Sequence, residues 1–283
     1  MRSKKLFFPI GAGEDYYERF YGALSVARHF CAHMEVLCCY LDPGEAYNMK
    51  STMRGSVLYE QFLRSANEEL DREHSRIRGL FERAASELGV VVSDSPIDNI
   101  ASANFVLRSG NRSRLVEAES RFCDLVVAAV PFDGKITGTF EAATMKSGKS
   151  AIVIPRNLKD FKADSILVSW TGTTASSAAL TASVPLLEQA SRVHCITSKA
   201  SLGDDASINL ARLEEYFAIH GIEASFEIID TTAIPGEALL KTAREGEFDL
   251  VIAGKQGENG LREMFLGGTA KFFLKNTEIP VFI

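Results

Sequence analysis

The sequence predicts an α/β protein of two tandem doubly wound domains, each a five-stranded parallel sheet with helices on both faces. Three observations predict it. Short apolar runs alternate with amphipathic segments along all 283 residues, as parallel strands joined by crossover helices require. The same order of elements occurs twice. The length suits two domains of ordinary size, each able to bury a core without disulfide or metal staples.

In the first half, strands are expected at 5–10, 34–40, 90–93, 124–130 and 151–154, with helices at 16–30, 57–88 and 103–121. In the second half, strands are expected at 165–170, 192–197, 224–229, 249–253 and 281–283, with helices at 175–189, 206–220, 236–245 and 261–275. Pro185 falls inside the first of those helices and should kink it or end it early. The halves match best where Cys123-Asp124-Leu125-Val126-Val127-Ala128 aligns with Phe248-Asp249-Leu250-Val251-Ile252-Ala253, and such an internal repeat marks a duplication. Each half then adds a helix and a short apolar strand, Ala151-Ile152-Val153-Ile154 and Val281-Phe282-Ile283. Those strands are edge candidates able to pair across chains, so a homodimer is expected beside the pairing of the two domains. Residues 157–164 carry Lys159, Asp160, Lys162 and Asp164 without apolar periodicity and read as the linker, giving domains at 1–156 and 163–283.

Composition narrows the function. Hydrophobic residues make up 46% and charged residues 24%, with a net charge of −6, a balance that suits a soluble globular protein and disfavours nucleic acid or an acidic membrane as partner. The apolar stretch near the start stops at Gly11, too short for a signal peptide, and no apolar run reaches membrane-spanning length. A cytoplasmic protein is expected. The five cysteines, Cys31, Cys38, Cys39, Cys123 and Cys195, show no C-x-x-C spacing and mostly sit in apolar runs, where a thiol behaves as a small hydrophobe.

The chemistry lies after the fourth strand of the second half. Gly254-Lys255-Gln256-Gly257 leads through nine further residues to Gly267-Gly268-Thr269. Residues without a Cβ let a ligand approach the backbone. Gly267, Gly268 and Thr269 fall where the last helix is expected to begin, so unpaired N–H groups and the positive helix end could face phosphate oxygens. In a doubly wound sheet the ligand lies beyond the carboxyl strand ends, where strand order reverses. The first strand of this half ends there too, in Trp170-Thr171-Gly172-Thr173.

This pattern resembles the universal stress protein family, whose ATP-binding members carry G-x2-G-x9-G-(S/T) after the fourth strand. Gly254, Gly257 and Gly267 match the three glycines, while Gly268 stands at the Ser/Thr position with Thr269 one step later. The family's aspartate at the end of the first strand is replaced by Thr171, a neutral and weaker hydrogen-bonding partner. The resemblance implies the fold of the adenine-nucleotide α-hydrolase group and a ligand of ATP, AMP or ADP, with magnesium as an optional companion. Phosphates would lie on Gly254, Gly257, Gly267, Gly268 and Thr269, and base and ribose near Thr171, Gly172 and Thr173. The first half departs further. Pro131 and Phe132 follow its fourth strand and Glu141 lies at the helix start, so this half is expected to bind no nucleotide and to serve in pairing.

Other chemistry is rejected. Gly148-Lys149-Ser150 lacks the leading glycine of a P-loop, Ala143 standing in its place, and a helix precedes it while a strand follows. His29 and His33 have no acid beside them in a metal-binding pattern, and no nucleophile elbow or H-E-x-x-H motif occurs. Asn67 to Arg78 reads as a solvated helix face. A non-enzymatic, nucleotide-responsive stress protein is the expected function, with slow hydrolysis left open and Glu258 the nearest acid. The alternative is a stress scaffold that binds no nucleotide and acts through dimerisation.

Overall fold

The alternation of apolar strands and amphipathic helices closes into one sheet in the computed structural model, which describes residues 3–10, 15–46, 56–131, 136–230, 236–254 and 279–283. In the first unit β1 (Lys5–Ile10), α1 (Tyr16–Phe30), β2 (His33–Tyr40), α2 (Pro43–Ala46) and α3 (Val57–Leu88) lead to β3 (Val91–Val92) and β4 (Ser102–Ser109). There follow α4 (Arg112–Glu119), β5 (Leu125–Ala129), α5 (Gly138–Glu141) and β6 (Ala151–Ile154). The second unit runs β7 (Ser165–Trp170), α6 (Thr174–Leu187), β8 (Arg192–Ser198), α7 (Lys199–Leu202), α8 (Ala206–Ile219) and β9 (Ala224–Ile229). It finishes with α9 (Gly236–Glu245), β10 (Leu250–Ile252) and β11 (Val281–Phe282). The helix expected at 261–275 lies outside the described residues.

The sheet order among the described strands is β3-β4-β2-β1-β5-β6-β11-β10-β7-β8-β9. All neighbours are parallel except β6 and β11, which pair antiparallel, with Val153 opposite Val281 and Ile152 opposite Phe282. Ala151 and Ile283 exchange both backbone hydrogen bonds, at 2.9 and 2.8 Å. The two edges expected to be open for pairing across chains are therefore consumed within the chain.

The duplicated motif has one physical role in both units. The Asp124 carboxylate accepts hydrogen bonds from the backbone N–H groups of Lys4 and Lys5, at 2.8 and 2.9 Å. The Asp249 carboxylate accepts one from Ser165 N–H at 2.9 Å. Each aspartate thus clasps the start of the first strand of its unit onto the central one.

Two expectations fail in the first unit. Residues 103–121 are expected as one helix, but 102–109 form β4, paired with β2 along its full length. Ala103 and Phe105, two apart, are both buried in the core, a period-two pattern that alternates with Ser102 and Asn104 until Val106 breaks it. Gly110, at φ +137°, ends the strand, and the Asn111 side chain accepts from Arg114 N–H to start α4. The strand expected at 90–93 shrinks to β3, an exposed edge of two residues. This half-sheet accordingly has six strands where five were expected.

One buried cluster runs through both units on the face carrying α1, α3, α6 and α8, joining Leu6, Phe8 and Phe20 to Ile166, Val168 and Phe217. On the opposite face, separate clusters form around Phe7 and Val126 and around Leu167 and Val251. The linker is packed as well: Phe161 is 3% exposed and stacks against the ring of Phe30. Its charges hid that anchor. Helix α3 buries only Ile77, Phe81, Ala84, Ala85 and Leu88, leaving its first turns solvated. Helix α6 ends at Leu187, two residues beyond Pro185. Among the described residues no helix is long and apolar enough to cross a membrane.

Candidate functional site

In the second unit the chain leaves β7 toward β8 and β9, then returns to β10 and β11 on the other side. The strand order therefore reverses between β7 and β10, whose carboxyl ends lie side by side, with Ile252 opposite Val168. That is where a doubly wound fold opens its crevice.

The turn after β7 is shaped by its own hydroxyls. Thr173 is the N-cap of α6: its side chain accepts from Ser176 N–H at 3.2 Å, and the Ser176 hydroxyl accepts from Thr173 N–H at 3.1 Å, a reciprocal capping box. The Thr171 and Thr173 hydroxyls lie 3.0 Å apart in a hydrogen bond. Thr171 is exposed and Thr173 half-buried. Gly172 has φ +69°, and a Cβ there would collide with the carbonyl oxygen of Ser201 in α7. Only glycine fits the turn.

Gly254, one residue beyond Ala253, packs against the first turn of α6. A Cβ on it would lie 2.5 Å from the Ser176 nitrogen and 2.7 Å from the Ala175 carbonyl carbon. The glycine-bearing ends of β7 and β10 therefore meet at one place. Gly257, Gly267, Gly268, Thr269 and Glu258 lie outside the described residues. Among the described residues no cluster of His, Cys, Asp and Glu could hold a metal ion.

At the equivalent end of the first unit Arg156 ties the start of α1 to the end of β5. Arg156 donates to the Asp15 carboxylate at 2.7 Å and to the Val130 carbonyl at 3.0 Å. Burial pushes the Asp15 carboxyl up, but the hydrogen bond and charge of Arg156 outweigh it, so the group lies below its usual range. Arg19 is 5% exposed, and burial, reinforced by the neighbouring Arg156 charge, depresses its pKa to about 10. The Thr137 hydroxyl caps α5 by accepting from Phe140 N–H at 3.2 Å, and Glu141 pairs with Lys146 at 2.9 Å. Neither Asp15 nor Arg156 was singled out in the sequence; 141 residues separate them, and no local pattern joins them.

The thiols follow the sequence reading in the main. Cys38, Cys39, Cys123 and Cys195 are buried and Cys31 is exposed; desolvation raises the Cys195 pKa to about 12. His33 lies within 2.9 Å of the Ser102 hydroxyl, held by core hydrogen bonding.

Beside the β7 turn a cleft of about 380 Å³ opens between α6 and α8, lined at its head by Trp170, Gly172 and Ser201. The sequence reading missed it, because its residues come from two helices and carry no motif.

Sheet order and glycine turns define a tandem doubly wound α/β protein. Residues 194–283 match the universal stress protein family. The whole chain shares its fold with a universal stress protein from Archaeoglobus fulgidus DSM 4304, at TM-score 0.66 and 17% identity, over 100% of this chain and 98% of that one. A functionally unknown protein from Pseudomonas aeruginosa PAO1 is also similar, at TM-score 0.54 and 13% identity, over 99% of this chain and 92% of the other. No curated protein matches the chain by sequence.

Proposed function

We propose that the chain is a cytoplasmic stress-response protein that binds ATP, AMP or ADP in its second unit and acts in signalling or protection rather than by turnover. The observation that carries this reading is the meeting of Gly254 with the first turn of α6. It brings the carboxyl end of β10 against the start of α6 beside the β7 turn, where strand order reverses and a doubly wound fold holds its ligand. The family match supports it, since residues 194–283 include every glycine of the loop.

On this reading the amides of Gly254, Gly257, Gly267, Gly268 and Thr269 hold phosphate oxygens, and the exposed Thr171 hydroxyl serves the ribose. Thr173 is committed to capping α6 through both its hydroxyl and its N–H, so it positions the turn. Magnesium would accompany the phosphates, its usual route into such sites. The first unit, with Arg156 and Asp15 in the equivalent place, serves in pairing.

The test is thermal unfolding with and without ATP. A ligand held only by the native state at a hundred times its dissociation constant adds about 2.7 kcal/mol, and the transition should rise accordingly. Gly257→Asp should abolish the rise by setting a charge against phosphate. No rise with ATP, AMP or ADP, and no nucleotide released from fresh protein by mass spectrometry, would leave the nucleotide-free scaffold as the function.

A further inference from the structure

We infer that the groove between α6 and α8 is a binding site for a small planar aromatic anion, opening beside the nucleotide crevice and sharing Gly172 of the β7 turn with it. Ser177, Leu180 and Thr181 on α6 face Arg212, Leu213 and Tyr216 on α8, and spacings of three and four put each set on one helix face. Leu180 and Leu213, 3% and 5% exposed, form the floor. Trp170 closes the head of the groove. At the foot, the Thr181 and Tyr216 hydroxyls share a hydrogen bond of 3.2 Å, bracing the two walls.

The volume, about 380 Å³, falls in the range of small-molecule pockets. The lining selects the chemistry. Two aromatic side chains and a leucine floor favour a flat apolar body. Arg212 lies on the rim, exposed, and makes no ion pair among the described residues. A guanidinium over such a groove takes a carboxylate or phosphate through two parallel N–H donors and repels a cation. Gly254 meets α6 at Ala175 and Ser176, whereas the groove floor lies a turn further along the helix at Leu180, so the two sites use different residues of α6.

The chain contains one tryptophan, so its emission reports on this groove. The intact protein is titrated with benzoate and with phenyl phosphate, using benzamide as the neutral counterpart. Either anion should change Trp170 emission saturably, and benzamide should bind at least about tenfold more weakly, as expected for loss of a charge-assisted hydrogen bond. Arg212→Gln should weaken the anions to the level of benzamide while far-ultraviolet circular dichroism stays unchanged. Gly257→Asp should leave the titration intact, which separates this site from the phosphate end of the nucleotide crevice. No saturable change with either anion, an equal response to benzamide, or an unaltered titration in Arg212→Gln would overturn the assignment.

Discussion

Gly254 and Ser176 are packed backbone to backbone: a methyl group on the glycine would lie 2.5 Å from the serine nitrogen. That nitrogen already donates to the Thr173 hydroxyl, so the first turn of α6 has little room to retreat. Gly254→Ala should therefore destabilise the protein by about 1–3 kcal/mol, the usual cost of overpacking. Gly79 in α3 has open space around its missing Cβ, and Gly79→Ala should stabilise by about 0.5–1 kcal/mol through helix propensity. Urea denaturation of the two variants checks the contrast, and equal midpoints would contradict it.

Thr173 holds the start of α6 through a capping box. Thr173→Ala should cost about 1 kcal/mol, whereas Thr173→Ser keeps the acceptor and should cost less. Comparing the two denaturation midpoints isolates the cap from the rest of the side chain.

His33 is buried beside Ser102. Desolvation lowers its pKa, reinforced by the Lys5 charge and opposed by Glu35. The folded protein therefore prefers the neutral ring. Its contribution is fully present above the ordinary value of 6.5 and is lost as pH falls from there through the folded pKa. His33→Gln, which keeps a polar partner for Ser102 without titrating, should show a flatter loss of stability from neutral pH downward. Parallel curves for the two proteins would assign the loss to other groups, among them His29 and His74, which desolvation also lowers.

Val281 lies opposite Val153 in the antiparallel seam. Proline at 281 removes an N–H from a strand paired on both sides, a cost of about 3 kcal/mol or more in regular structure. Because β11 joins both half-sheets, Val281→Pro should split one calorimetric unfolding transition into two. A single transition merely shifted downward would mean the continuous cluster around Phe161 holds the units together without the seam.

The fold was legible where periodicity and chain order say the same thing. Helices α1 and α3 and strands β1, β6 and β7 fall where the apolar patterns place them, and the repeated Asp-Leu-Val motif lies at the same point of both units. Strand β4 was missed because Asn104-Phe105-Val106-Leu107 has no clean alternation: its two faces meet two cores, Phe105 in one and Val106 in the other. Tertiary burial overrode local pattern there. At the candidate site the sequence marks Gly254 as a place of close approach to the backbone, but that α6 is what approaches it, like the pairing of Arg156 with Asp15 and the α6–α8 groove, arises only when distant segments are brought together.

The antiparallel seam also sets a direction. The strands of the first unit all run one way and those of the second the opposite way, so the carboxyl margins of the two half-sheets lie on opposite rims of the molecule. Whatever occupies the mouth beside Gly254 is turned away from the Arg156 and Asp15 pair, with the breadth of the sheet between them. The two rims have in common only the β6–β11 seam and the core shared beneath α1 and α6.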